Sequence, residues 1–395
     1  MNAIELLTVF SGENAKQFAP YFRYSVDSKI VAVEIHAVGM ETTIERYTGD
    51  EEAWHAVNNI LRIKTADGFE GVSGVDTYYQ GGFSDEHFHA LKDIAGDMVD
   101  LQSMDPVEVS SMFAKERPEL RNEVRASIDI ALWDLAARKA GLPLHAMFGA
   151  KRNSIEAYAS LPFYESLPEY VEAVNQYSKF GFTTFKFHVW GSIDKDLPLV
   201  KLVQQTFVDS PYRFAIDLES VYGIEDALEL GKQLDEGLFL SFEAPINDEL
   251  LAQYADLRGK LETHIIPAGY TVYSPEFIRQ AIEIGAWDAG RFDATVVGGI
   301  SDALELLIIA NEAGLPIDIQ SWGHSLAQAA NLHLMLANNR TPYFEAPMPK
   351  EAYEFGMKNG NLLERGRAVA LERPGLGIEV DWDRLPAADF YMSLK

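Results

Sequence analysis

TTFKFHV at residues 183–189, RFAIDLE at 213–219 and FLSFEAP at 239–245 decide how this chain folds. Each is a short, β-rich, mostly apolar run with a polar side chain near its C-terminal end: His188, Asp217 and Glu243. Helical stretches such as IEDALELGKQLDE (224–236) separate them. The same unit continues in both directions, through IEAYASL (155–161), HIIPAGY (264–270), GRFDATV (290–296), PIDIQSW (316–322) and PYFEAP (342–347). Eight such runs alternating with helices predict a parallel sheet closed into a barrel. His188, Asp217, Glu243, Tyr270, Asp293, His324 and Glu345 follow one another at intervals of 21 to 31 residues, about one βα unit each. Consecutive strands therefore carry them to one rim, where barrel enzymes keep their chemistry. An open doubly wound sheet is the other fold that alternates in this way, but no Gly-rich phosphate loop follows the first run.

Ahead of the barrel, KIVAVEIHAV (29–38) alternates as a half-buried strand, and Thr65-Ala66-Asp67-Gly68 marks a hairpin turn. Helical patterns follow at 88–101 and 105–113. EVRASIDIALWDLAARKAG (123–141) reads as a long amphipathic helix stopped by Gly141 and Pro143. These signals divide the 395 residues into an α+β unit over 1–122, a barrel over 123–365 and a tail over 366–395 that returns to the first unit. The aromatic-rich residues 1–27 receive no placement.

Composition narrows function by exclusion. Sixty acidic against 33 basic residues give a net charge of −27, which opposes binding to nucleic acid or an anionic membrane. No apolar run approaches the roughly 18 residues needed to span a bilayer. Glu5 stands where a secretory signal would be positive, so a cytoplasmic location is expected. Without cysteine, any metal must be held by oxygen or nitrogen, and an anionic substrate needs a local gathering of cations.

The stretch IDIALWDLAARKAGLPLHAMFG (128–149) resembles the helix that opens the barrel in the mandelate racemase and muconate lactonizing enzymes of the enolase superfamily. The hairpin at 65–71, Gly298-Gly299-Ile300 and Pro374-Gly375-Leu376-Gly377 extend the resemblance over most of the chain. It implies an α/β fold: a (β/α)7β TIM-like barrel with an α+β N-terminal capping domain completed by the C-terminal tail. It also implies a homo-oligomer acting on a small carboxylate. The chemistry implied is proton abstraction alpha to that carboxylate through a metal-stabilised ene-diolate. Dehydration of a sugar acid is the first expectation and racemisation or epimerisation of a hydroxy acid the second. A divergent member that binds a carboxylate with lost or altered magnesium dependence is the third.

Carried over residue by residue, the resemblance makes Asp217 and Glu243 ligands of a magnesium ion. Carboxylate oxygens suit a hard cation. The family's third carboxylate, in Gly-Glu, is here Gly269-Tyr270, and a phenol is a poor magnesium ligand. Glu219, two residues beyond Asp217, is expected on the same face by strand alternation and could replace it. Lys186 and His188 match a Lys-x-Lys pair, with imidazole as the base in the second position. Asp293 and His324 match an Asp-His dyad whose imidazole serves the other face of the substrate. Glu345 matches a carboxyl that, if protonated, donates to the developing enolate. Substrate specificity is expected from Tyr270 and from Arg46, Tyr47, Trp54 and His55 in the 39–58 loop. His333 reads as structural, and His264, at a strand start, as lying at the opposite rim. The reading favours a retained but weakened magnesium site. The rival arrangement, incompatible with it, abandons the metal, with Tyr270 on the ion's side of the rim and Lys186 paired directly with Asp217 or Glu243.

Overall fold

The computed structural model describes residues 26–41, 55–76, 85–99, 101, 103–269, 274–388 and 390–395. Its first unit is an antiparallel sheet of β1 (Ile30–Glu41), β2 (His55–Thr65) and β3 (Glu70–Asp76). Alternation buries Val33, Ile35 and Ala37 of β1, while Glu34 and His36 are only half-buried. The β2–β3 turn falls where the sequence places it: Thr65 Oγ1 donates to Asp67 Oδ1 and accepts from Phe69 N, and Gly68 takes a φ of 87°. Helices α1 (Asp85–Met98) and α2 (Pro106–Glu116) follow, the second capped by Asp105, which accepts from Val107 N at 2.9 Å.

Helix α3 (Asn122–Ala140) differs from the expected amphipathic helix, because 14 of its 19 residues are buried. It has partners on both sides, the cap hairpin and the barrel, and so has no free polar face. Two carboxylates fix it. Asp134 Oδ2 accepts from Val72 N of β3 and Arg138 Nε, while Oδ1 accepts from Leu376 N of the tail. Asp129 accepts from Ser301 N and Ser301 Oγ across the joint with the barrel. The approach leaves no room for side chains: a Cβ on Gly71 would lie 2.1 Å from the Ala131 carbonyl, and one on Gly299 2.3 Å from Asp129 Oδ2. The residues that carry the family resemblance are thus the joints of the fold.

Eight strands form the barrel: β4 (Ser154–Leu161), β5 (Thr184–His188), β6 (Arg213–Asp217), β7 (Phe239–Glu243), β8 (His264–Ile266), β9 (Gly290–Phe292), β10 (Ile317–Ile319) and β11 (Phe344–Pro347). A continuous parallel ladder runs from β8 back to β4 and on to β11, while β9 pairs with β10. Asp288 N, donating to Ile265 O, links the β8 and β9 segments. Among the described residues a helix of two turns or more fills each interval: α4 (Leu167–Tyr177), α5 (Ile193–Phe207), α6 (Ile224–Leu234), α7 (Leu251–Arg258), α8 (Pro275–Ile284), α9 (Ile300–Ala313) and α10 (Ser325–Ala337). The tail ends in β12 (Phe390–Leu394), antiparallel to β1 with Phe390 opposite Ala37 and Leu394 opposite Val33. At the N-terminal rim the small residues Ala215 and Ser241 leave a cavity of about 520 Å³, with His264 in its wall as its place at a strand start requires.

Candidate active site

Parallel register brings three strand ends level: His188 of β5 is paired with Asp217 of β6, and Asp217 with Glu243 of β7. His188 is held from two directions. Its backbone carbonyl accepts from Tyr170 Oη at 2.6 Å, and its ring stands edge-on to Trp322 at 5.1 Å. Its Nδ1 lies 2.7 Å from the Leu161 carbonyl. A carbonyl only accepts, so Nδ1 carries the hydrogen and Nε2 is the proton-accepting nitrogen of the neutral ring. Nε2 stands 3.5 Å from Asp217 Oδ2, and the side chain keeps 13% of its surface exposed.

One layer below lies a network of buried charges. Lys186 Nζ is 2.6 Å from Glu345 Oε1, 3.2 Å from Asp217 Oδ2 and 3.1 Å from both oxygens of Glu243. This is the Lys186 pairing that the sequence reading set against a retained metal site. Arg291 of β9 completes the network. Its Nε lies 2.9 Å from Glu243 Oε1, one terminal nitrogen 2.9 Å from Asp318 Oδ2 and the other 2.7 Å from Glu345 Oε2. Ser160 Oγ also donates to Glu345. Burial works against the Lys186 ammonium, but Glu243 and Glu345 hold it firmly charged. Burial likewise pushes Glu345 up, yet Lys186 and Arg291 overcome it and hold the carboxyl well below the usual range. Glu345 is therefore an ionised acceptor, which corrects its expected role as a protonated donor to the enolate. Asp217 is also held low, against burial, by Lys186 and His188, whereas burial pushes Glu243 and Asp318 up. Two cations thus face four carboxyls, of which two are held low and two are pushed up by burial.

The expected Asp293-His324 dyad is not formed. Asp293 caps the single turn Ala294–Val297, its Oδ1 accepting from Thr295 N and Asn331 Nδ2. His324 caps α10, with Nδ1 accepting from Leu326 N at 3.4 Å and Nε2 2.9 Å from the Phe355 carbonyl. Both ring nitrogens are engaged, and burial lowers the imidazole to about 4. The alternation argument for Glu219 has no basis in the fold, because β6 ends at Asp217 and the backbone at Glu219 leaves the strand with a φ of 46°. Its amide donates to Asp217 Oδ1 at 2.9 Å. Tyr270, Arg46, Tyr47 and Trp54 lie outside the described residues, and His55 is described only as the first residue of β2. His333, read as structural, is buried and stacks on His145. Sequence reasoning missed Arg291 and Asp318 because it followed strand ends. The available signal was a charged residue inside a short barrel strand, which must find a partner or destabilise the interior.

Comparison with known proteins adds an independent line. Residues 169–384 match the family model of the enolase C-terminal domain-like proteins, and residues 51–149 that of the mandelate racemase/muconate lactonizing enzyme N-terminal domain. The chain belongs to the mandelate racemase/muconate lactonizing enzyme family of the enolase superfamily. Within the family, it is 28% identical to arabinonate dehydratase of Saccharolobus solfataricus over 65% of this chain and 69% of that one. A structure from Pseudovibrio sp., described as a mandelate racemase/muconate lactonizing enzyme, is 30% identical with a TM-score of 0.86 and covers 93% of this chain and 99% of its own. L-talarate/galactarate dehydratase from Salmonella typhimurium, crystallised with Mg and L-lyxarohydroxamate, shares the fold at 23% identity and a TM-score of 0.82, over 93% of this chain and 95% of its own. Relatives named dehydratase and epimerase make this chain an enzyme, hydro-lyase-like or racemase-like. No helix among the described residues is long and apolar enough to cross a membrane.

The magnesium found in such neighbours can be tested against the donors here. Among the described residues no three His, Asp or Glu side chains converge on a metal position. Every oxygen of Asp217 and Glu243 already faces a nitrogen: Glu219 N, Lys186 Nζ or Arg291 Nε. The arrangement does not fit a bound divalent ion.

Proposed function

We propose that this chain removes the proton alpha to the carboxylate of a small sugar acid and expels the neighbouring hydroxyl as water, with His188 as the base. The observation that carries this reading is the anchoring of His188 Nδ1 on the Leu161 carbonyl, which turns Nε2 into an acceptor at the partly open rim. Nε2 takes the proton from the alpha carbon, and the electron pair moves into the ene-diolate of the substrate carboxylate. Asp217, 3.5 Å away, stabilises the imidazolium that forms. The same imidazolium gives its proton to the hydroxyl on the next carbon, which leaves as water, and the enol product relaxes to a 2-keto-3-deoxy acid. The fixed charges of Lys186 and Arg291 offset the developing negative charge from below.

Elimination is favoured over racemisation because inversion needs a proton-transfer group on each face of the substrate. His324 has both nitrogens engaged, and Lys186 is held as a buried ammonium. No step is assigned to magnesium, although the family resemblance led to its expectation.

Incubation in D2O with arabinonate, galactarate, L-talarate and a panel of hydroxy acids, followed by proton NMR, tests the reading. The expected result is loss of the alpha C–H signal of at least one acid together with a keto-deoxy product. His188→Asn should slow that loss at least about 100-fold, the usual scale for a general base. A folded wild-type chain that exchanges no alpha proton in the whole panel would sink the proposal.

A further inference from the structure

We infer that Arg291, together with Lys186, takes the charge role of a divalent cation in this active site, so that the enzyme neither holds nor requires a metal ion. The inference rests on the reaction proposed above, but its first test does not depend on that reaction.

Three features of the geometry point the same way. The guanidinium is fully buried and engages Glu243, Asp318 and Glu345, carboxyls from three strands. A planar fork hydrogen-bonded to Asp318 and Glu345 and in ion contact with Glu243 has little room to swing aside for another cation. Lys186 occupies the remaining directions of Asp217 and Glu243 at 3.1 to 3.2 Å. A divalent ion on those two carboxylates would have to sit within a few ångströms of two permanent charges of its own sign. The third feature lies at the end of β8. Gly269 adopts a φ of 79°, and a Cβ there would lie 2.6 Å from Arg291 Cγ. The backbone leading to position 270, where the family resemblance puts a third carboxylate, is packed against the arginine side chain. The stem of Arg291, which carries the guanidinium into the network, is therefore packed into that strand end.

In the first test the full chain is treated with EDTA, desalted and titrated with Mn2+ by electron paramagnetic resonance. The expected trace shows only weak surface binding, the same in wild type and Asp217→Asn. One Mn2+ per chain held in the micromolar range, and lost in Asp217→Asn, overturns the inference.

In the second, alpha-proton exchange is measured in D2O with and without EDTA. Equal rates are expected, and loss of exchange on chelation with recovery on adding Mg2+ overturns the inference. Arg291→Gln should lower exchange at least about 100-fold, while Arg291→Lys, which keeps the charge but not the fork, should lower it less. Unchanged exchange in Arg291→Gln removes Arg291 from the role. Should that variant fail to fold, the wild-type Mn2+ titration and Arg291→Lys still decide. Absence of exchange with every acid would count against the proposed reaction, while the Mn2+ titration would still answer the metal question.

Discussion

Replacing His324 by Asn separates the two duties a rim histidine can have. Asparagine is a good N-cap, so the start of α10 should survive, while the contact with the Phe355 carbonyl is lost. We expect a stability loss of about 1–2 kcal/mol by urea unfolding and exchange rates within about 10-fold of wild type. A loss as deep as that of His188→Asn would return His324 to the proton-transfer chemistry. The contrast also shows what a sequence discloses at this scale. Lys186, His188, Asp217 and Glu243 meet because their positions on adjacent parallel strands leave little choice of direction. The Asp293-His324 pairing depended instead on two side-chain rotamers, and each found a closer partner in Asn331 and Phe355. Arg291 escaped notice because its meaning lies in the partners it gathers from β7, β10 and β11.

Asp134 and Asp129 do for the elements what the ion network does for the site. Asp134→Ala would leave the buried amides of Val72 and Leu376 without their acceptor and Arg138 without its carboxylate. We expect a loss of about 3–5 kcal/mol by urea unfolding. Retention of wild-type stability would show that the joint between cap, α3 and tail lies elsewhere. Asp129 gives the joint with the barrel a pH signature. Burial raises its carboxyl to about 7, against the hydrogen bonds from Ser301. From about pH 4 to 7 the folded state therefore binds the extra proton, so this contribution to stability falls as pH rises and levels off above pH 7. Asp129→Asn removes it. The stability of the variant relative to wild type should thus be more favourable at pH 8 than at pH 4, by up to about 4 kcal/mol. A difference that does not change with pH would mean that Asp129 does not titrate in this window. In sequence, α3 was legible as a helix from its caps. Its burial was not, because its alanines and small polar residues disguise a helix held between two units.

The molecule as a whole was readable because its barrel repeats: eight β-rich runs at regular intervals fix both the parallel sheet and the rim that carries the chemistry. The cap was less so, since its one long alternating strand does not reveal what lies beside it. Its neighbour on one side, β12, comes from beyond the whole barrel in sequence. Synthesis therefore leaves the first sheet unfinished until the ribosome has added everything up to Leu394. Throughout that interval β1 presents unpaired amides and carbonyls along one edge, flanking apolar residues such as Val33 and Ile35, a template for pairing with other nascent chains. Ending translation before Phe390 should yield a chain that aggregates during expression although its barrel sequence is intact. Supplying residues 386–395 as a separate peptide during refolding should recover soluble protein. Equal soluble yields with and without the last strand would show that the edge is protected by other means. The sheet that precedes the barrel in synthesis is thus completed only by a strand that follows it.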